Sequence, residues 1–240
     1  MLLIDAGNSR IKWVLIEGGL WALQGVVNYA EWGVLQHAFA GLPPPPKILV
    51  ANVAGDEAAQ RLRAACAVWP CPVEFITAKA EQCGVRNTYE QPAQLGSDRW
   101  AALIAAWHQE RTACLVVNCG TATTVDALSA RGEFLGGLIL PGVDMMWRSL
   151  AEGTAQLGVT EGGWRELPRN TADAVFSGAI QATVGAIRQQ FELLGMDGVR
   201  CLLSGGAADR VQPHLDLPVE RVDNLVLRGL QIIGQECPQR

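Results

Sequence analysis

Three short segments carry the residue types that phosphate chemistry needs. In Asp5-x-Gly7-Asn8-Ser9-x-x-Lys12 a carboxylate precedes a glycine turn, and a lysine sits on the returning segment. Gly7 lets the backbone approach a ligand closely, Asn8 and Ser9 add short polar groups, and Lys12 can act as a point charge toward a phosphate. Asp5 is placed to hold Mg²⁺ through water, because Mg²⁺ keeps much of its hydration. The same residues would also serve a hairpin turn with an exposed lysine. In Gly96-Ser97-Asp98-Arg99, Asp98 could accept a proton from a substrate hydroxyl while Arg99 pairs with substrate charge. Ser97 or Asp98 could instead be the N-cap of a helix. The third segment, Asn118-Cys119-Gly120-Thr121-Ala122-Thr123-Thr124, follows an apolar run and offers a second turn with exposed backbone N–H groups. There is no G-x-x-x-x-G-K-[ST] loop, G-x-G-x-x-G fingerprint, G-x-S-x-G elbow or H-E-x-x-H pair.

The elements that must position these segments are legible in outline. Leu2 to Ile4 and Ile11 to Ile16 read as strands around the first turn, and Gly18-Gly19 marks the next turn. Pro43 to Pro46 ends a helix as an extended linker. Ile48 to Ala51 is a buried strand, Asp56 to Cys66 a helix, and Val73 to Ile76 another strand. Trp100, Leu103, Ile104 and Trp107 form the stripe of an amphipathic helix that starts at Ser97. Cys114 to Val117, Thr124 to Leu128 and Gly137 to Leu140 read as strands, and a long helix follows Thr171 with Gly195 at its end. A late strand over Val199 to Leu203 and a last helix near Leu225 to Ile233 complete the chain.

Ile4-Asp5-Ala6-Gly7-Asn8-Ser9 is similar to Val117-Asn118-Cys119-Gly120-Thr121-Ala122, with Asp5 and Asn118 separated by 113 residues. The repeat suggests two related halves, each opening with a strand hairpin.

Composition narrows the classes. In 240 residues, 49% hydrophobic content is enough for a substantial core and excludes disorder as the main state. A net charge of −5 with no basic stripe argues against a nucleic-acid partner. Seven cysteines without a C-x-x-C pair, and three scattered histidines, argue against a zinc site or a disulfide framework and point to reduced thiols in the cytoplasm. Met-Leu-Leu-Ile-Asp lacks the basic region of a signal peptide, and no apolar run approaches the ~18 residues of a membrane span.

Taken in order and spacing, Asp5-x-Gly-Asn-Ser-x-x-Lys12, Gly96-x-Asp-Arg99 and Gly120-Thr-Ala-Thr-Thr-x-Asp126 resemble the type III pantothenate kinases, and the resemblance covers essentially the whole chain. Leu203-Ser-Gly-Gly-Ala207 also resembles the adenosine loop of the wider acetate kinase, sugar kinase, Hsp70 and actin superfamily. The resemblance implies an α/β fold of two ribonuclease H-like halves related by internal duplication, with mixed sheets flanked by helices in the actin-like ATPase architecture. It puts the halves at 1–110 and 111–240. It implies ATP-dependent phosphorylation of pantothenate in the cleft between them, Mg²⁺ and a monovalent cation (K⁺ or NH₄⁺) as cofactors, and a homodimer.

Residue by residue, Asp5, Ala6, Gly7, Asn8, Ser9, Arg10, Ile11 and Lys12 match the first ATP-phosphate segment, and Thr121 matches the ATP contact of the second. Gly96, Ser97, Asp98 and Arg99 match the pantothenate-contacting segment, with Asp98 as proton acceptor. Tyr89 and Thr171 match further substrate contacts. Bland roles for these last two are surface packing and a helix N-cap. The chain departs from the family at Asn118, where many members have an aspartate that helps bind the monovalent cation, so a weaker cation site is expected. Another small-molecule kinase of the superfamily, or a nucleotide-binding regulator without turnover, are the alternatives. The intact Lys12, Asp98 and Arg99 argue against the latter.

Overall fold

The computed structural model describes residues 1–153, 162–195 and 198–236. In chain order the elements are β1 (Leu2–Ala6), β2 (Arg10–Glu17), β3 (Leu20–Asn28), α1 (Trp32–Ala40), β4 (Ile48–Asn52), α2 (Asp56–Cys66), β5 (Val73–Phe75), β6 (Glu81–Gln82), β7 (Val85–Asn87) and α3 (Ser97–Glu110). There follow β8 (Cys114–Cys119), β9 (Ala122–Leu128), β10 (Glu133–Pro141), α4 (Val143–Gly153), α5 (Thr171–Leu193), β11 (Arg200–Ser204), α6 (Ala208–Val211), β12 (Val219–Arg221) and α7 (Leu225–Glu236). They form two compact units, Met1–Gln109 together with the last helix, and Glu110–Asn224.

Each unit is built on a mixed sheet of one topology. In the first the order is β3-β2-β1-β4-β5. β1 and β3 run antiparallel to β2, while β4 runs parallel to β1 and β5 parallel to β4. In the second unit the order β10-β9-β8-β11-β12 repeats these directions strand for strand. The sheet pattern is thus duplicated, as the short sequence repeat implied.

Period-two alternation explains which residues fill the first core. Leu2, Ile4 and Ala6 of β1 and Ile11, Trp13 and Leu15 of β2 turn to one face, where α1 and α2 bring Leu35, Phe39, Leu62 and Cys66. β4 is buried over Ile48 to Ala51, as expected of a central parallel strand covered on both sides. In the second unit Leu115, Val117 and Cys119 of β8 and Val125 and Ala127 of β9 pack against Ile180, Val184, Ile187 and Phe191 of α5. Gly195 closes α5 with φ +88° and its N–H on the Glu192 carbonyl, the left-handed ending read from the sequence.

Three details differ from the sequence reading. First, α7 was expected in a C-terminal half at 111–240, yet it packs on β1 and β4 of the first unit. Its periodicity shows an apolar face but not which sheet receives it. Gly229 and Gly234 decide that, because a Cβ at Gly229 would collide with the Ala101 carbonyl of α3, and one at Gly234 would collide with Met1 and reach Leu49. Second, α3 is buried nearly all round from Ser97 to Ala106, so its stripe is only part of its contact surface. Third, the second turn is only Gly120 and Thr121, because β8 runs to Cys119 and β9 starts at Ala122. Among the described residues the cysteines are free, and no helix is long and apolar enough to cross a membrane. Cys237 lies outside the described residues.

Candidate active site

In the first unit the candidate residues gather where β1 and β4 end. Asp5, the penultimate residue of β1, is paired across the hairpin with Lys12 of β2. Both are half-buried, whereas Asn8, Ser9 and Arg10 at the tip are exposed. The Gly7 N–H closes the turn on the Arg10 carbonyl at 3.1 Å.

A brace from β4 brings the start of α3 to the same place. Val53 donates to the Ala6 carbonyl at 3.1 Å. The Asn52 side chain accepts from the Ala54 N–H at 3.1 Å and donates to the Gly55 carbonyl at 2.9 Å. The Ser97 hydroxyl then donates to the Asn52 carbonyl at 3.3 Å. Ser97 is therefore an anchor rather than a cap. Gly96 holds the N-cap place, its carbonyl accepting from the Trp100 N–H at 3.0 Å. Asp98 lies inside the first turn, with Oδ1 accepting from the Arg99 N–H at 2.8 Å. A Cβ at Gly96 would stand 2.7 Å from that Oδ1, so the glycine makes room for the carboxylate.

The electrostatics suit proton transfer next to an anion. Burial pushes the Asp5 carboxyl up to about 7, against the pull of Lys12 and with a further push from Asp98. Burial also raises Asp98 above the ordinary carboxylate range, opposed by the Arg99 N–H and the Arg99 charge. Two carboxylates thus share one neighbourhood with Lys12, and a cation or a proton is the natural addition. Among the described residues no cluster of three or more acidic, histidine or cysteine side chains forms a ready metal cage. A single half-buried carboxylate such as Asp5 would suit Mg²⁺, which keeps much of its hydration.

Arg99 is buried and donates from Nη1 to the Tyr89 hydroxyl at 3.1 Å. Tyr89 is held by Asn87, whose Oδ1 accepts from the Tyr89 N–H at 3.1 Å and whose Nδ2 donates to the Pro92 carbonyl at 3.1 Å. Tyr89 is thus engaged by an arginine of the motif, beyond simple surface packing. Asn87, Asn52 and Tyr29, whose hydroxyl donates to the Gly7 carbonyl at 2.8 Å, were not picked out from the sequence. Each acts through backbone partners that no residue spacing reveals.

In the second unit Asn118, half-buried at the end of β8, pairs in register with Thr124 on one side and Ser204 on the other. Both register neighbours carry a hydroxyl, so the oxygens beside Asn118 are neutral. Thr121 is exposed in the turn, its carbonyl accepting from the Gly142 N–H at 2.9 Å. The Ser204-Gly205-Gly206 loop is tied to β8 by the Ala207 N–H on the Cys119 carbonyl at 3.0 Å. Gly205, with φ +99°, lies so close to Cys119 that no side chain fits there. Arg221 donates to the Gly205 carbonyl at 3.1 Å. Cys119 is fully buried, and burial pushes its thiol up to about 11, so it fills space rather than reacts. At α5 the N-cap is Asn170, whose side chain accepts from the Asp173 N–H at 2.9 Å. That leaves Thr171 exposed in the first turn without the capping role.

Two units of one mixed-sheet topology, each opening with a glycine-turn hairpin, define the fold of the actin-like ATPases and sugar kinases. A solved activator of 2-hydroxyisocaproyl-CoA dehydratase from Clostridium difficile with bound ADPNP aligns with a TM-score of 0.54 at 12% identity, over 97% of this chain and 91% of that one. A Campylobacter jejuni structure assigned to the Baf family of transcriptional activators aligns with a TM-score of 0.62 at 23% identity, over 98% of each chain. Within this fold the sequence is more specific. The family model for type III pantothenate kinase matches residues 1–193, and a type III pantothenate kinase from Aromatoleum aromaticum is 51% identical over 98% of both chains. The chain belongs to the type III pantothenate kinase family.

Proposed function

We propose that this protein transfers the γ-phosphoryl group of ATP to the primary hydroxyl of pantothenate, giving 4'-phosphopantothenate in the first step of coenzyme A biosynthesis. The observation that carries the reading is the gathering of Asp5, Lys12 and Asp98 in one unit of a chain of this family. Asp98 accepts the hydroxyl proton as attack proceeds, and its raised pKa suits a group that must gain a proton. Asp5, Ala6, Gly7, Asn8, Ser9, Arg10, Ile11 and Lys12 form the first phosphate segment, and Thr121 contributes from the second. Mg²⁺, when bound through water to Asp5, neutralises phosphate charge. Gly96, Ser97, Arg99, Tyr89 and Thr171 bind pantothenate, with Arg99 and Thr171 toward its carboxylate, which fixes the far end of a short flexible substrate.

A K⁺ or NH₄⁺ ion is held weakly at Asn118. The halves are 1–110 and 111–240, the second lending α7 to the first unit. The protein acts as a cytoplasmic homodimer, a reading supported by the free thiols and by the exposed Gly178, Ala182 and Gly185 on α5, where a second helix can approach closely. The test is a coupled assay of ADP release with and without pantothenate, alongside a panel of sugars and hydroxy acids. Release that depends on pantothenate is expected. Release indifferent to pantothenate, or faster with another acceptor, overturns the reading.

A further inference from the structure

We infer that Tyr29 is a positioning residue for the first phosphate hairpin, its hydroxyl fixing the Gly7–Asn8 peptide so that the Asn8 amide is presented to a bound phosphate. The inference rests on the reading of residues 5–12 as an ATP-phosphate segment.

Tyr29 directly follows β3, whose last residue, Asn28, pairs with Arg10 of β2. A tight 3-10 turn over Tyr29–Glu31 redirects the chain there. Both the backbone N–H and the side-chain Nδ2 of Asn28 donate to Glu31 Oε2, at 3.3 and 3.0 Å, and hold the turn. The phenol is thereby carried back to the β1–β2 hairpin, where its hydroxyl donates to the Gly7 carbonyl at 2.8 Å. The ring is held in turn. It stacks on Trp32 at 6.3 Å with 14° between the planes, and Trp32 carries the Arg61 guanidinium 4.4 Å from its ring centre.

The peptide plane turns this contact into a directional device. In a planar trans peptide the Gly7 C=O and the Asn8 N–H point in opposite directions, so holding the carbonyl fixes the amide. The turn is also closed by the Gly7 N–H on the Arg10 carbonyl at 3.1 Å, which leaves the Gly7 carbonyl to Tyr29. The φ of Gly7 is not in the left-handed region, and a Cβ there would meet only the Arg10 carbonyl, at 3.5 Å, so strain does not set the turn. Asn8 is exposed and makes no hydrogen bond among the described residues. Its amide is thus oriented yet left for an outside acceptor.

The second unit holds its own hairpin from the same topological position. Gly142 directly follows β10, the counterpart of β3, and its N–H donates to the Thr121 carbonyl at 2.9 Å. One unit uses a side chain and the other a backbone amide, yet both tether the tip from the residue after the third strand. The shared strand register places that residue beside the hairpin tip in both units, and in both it supplies the tether.

The experiment compares wild type with Tyr29→Phe, which removes the hydroxyl and keeps the stacked ring. Calorimetric binding of Mg²⁺ with a non-hydrolysable ATP analogue, and separately of adenosine, is measured on both. Loss of one hydrogen bond predicts about five-fold weaker binding of the analogue. Adenosine affinity should not change. In turnover, KM for ATP should rise while KM for pantothenate stays level. Equal affinity for the analogue in a variant that melts as wild type does overturns the inference, as does an equal loss for adenosine. If wild type binds neither ligand, the phosphate reading falls and the inference with it. If wild type binds nucleotide but does not phosphorylate pantothenate, only the proposed reaction falls, and the affinity comparison still decides the role of Tyr29.

Discussion

Replacing Asp5 with Asn should make the ligand-free protein more stable while weakening its response to nucleotide. Burial is the leading cause of the rise of the Asp5 carboxyl to about 7, from an ordinary value of 3.8. The native state therefore holds this proton more tightly than the unfolded chain does. The stability contributed by protonation is complete below the ordinary value and is lost as pH rises through about 7. At 1.36 kcal/mol per pH unit, that difference caps the cost to the native state at pH 8 at about 4 kcal/mol. Asp5 is ringed by protein yet keeps part of its surface in solvent, and Lys12 stands opposite, so screening reduces the working figure to about 1–2 kcal/mol. Asparagine has nearly the same shape and no charge to desolvate. For a chain of this size the gain corresponds to a melting temperature about 2–8 °C higher at pH 8. The assay is calorimetric melting of both proteins at pH 4, 6 and 8, at fixed ionic strength, with and without Mg²⁺ and ATP. The advantage of the variant should be full at pH 8 and fall to a small remainder at pH 4, where Asp5 is protonated in the native state and about half ionised in the unfolded chain. The melting shift produced by Mg²⁺ and ATP should shrink in the variant, because ligand binding to the native state is what produces it. No advantage at pH 8, or the same advantage at pH 4, refutes the reasoning.

Asp98→Asn should lower kcat by about 10²–10⁴-fold, since a positioned base contributes on that order, and leave ATP affinity nearly intact. The amide oxygen can still accept the Arg99 N–H, so the start of α3 survives, and a variant that keeps more than about a tenth of wild-type kcat would show that Asp98 is no base. Lys12→Ala should weaken ATP binding and slow transfer, since it removes the cation opposite Asp5, and unchanged affinity and rate at normal melting would show that Lys12 serves only the hairpin. Asn118→Asp should lower the K⁺ concentration needed for half-activation, because it adds an anionic ligand where the chain has a neutral one. Titrating KCl against NaCl at fixed ionic strength on both proteins checks this, and an equal value, or a lower one for the Asn form, sinks it.

Much of this molecule can be read from order along the chain. The strands around Gly7 and Gly120, the helix over Asp56 to Cys66, the long helix after Thr171 and its Gly195 ending all follow from local patterns of apolar and turn residues. Each motif of the candidate site is contiguous, so residue type and short spacing bring it into view. The repeat of Asp5-Ala6-Gly7 in Asn118-Cys119-Gly120 is also local, and the matching strand orders of the two sheets give it its structural meaning.

Tertiary structure decided what depends on partners far apart in sequence. Asp5 and Asp98 are neighbours because the Ser97 hydroxyl hangs on the Asn52 carbonyl and the Val53 N–H on the Ala6 carbonyl, two bonds to backbone acceptors that no residue spacing encodes. The tether from Tyr29 to Gly7 is of the same kind. The choice of sheet for α7 turned on whether two glycines could bring its backbone against Ala101 and Met1. The raised pKa values of Asp5 and Asp98 exist only once burial has removed water from carboxylates that are ordinary in the unfolded chain. Sequence determined which groups are present and the local turns that carry them. Folding determined which of them share a dielectric environment, because desolvation and Coulomb interaction depend on distance through space and not along the chain.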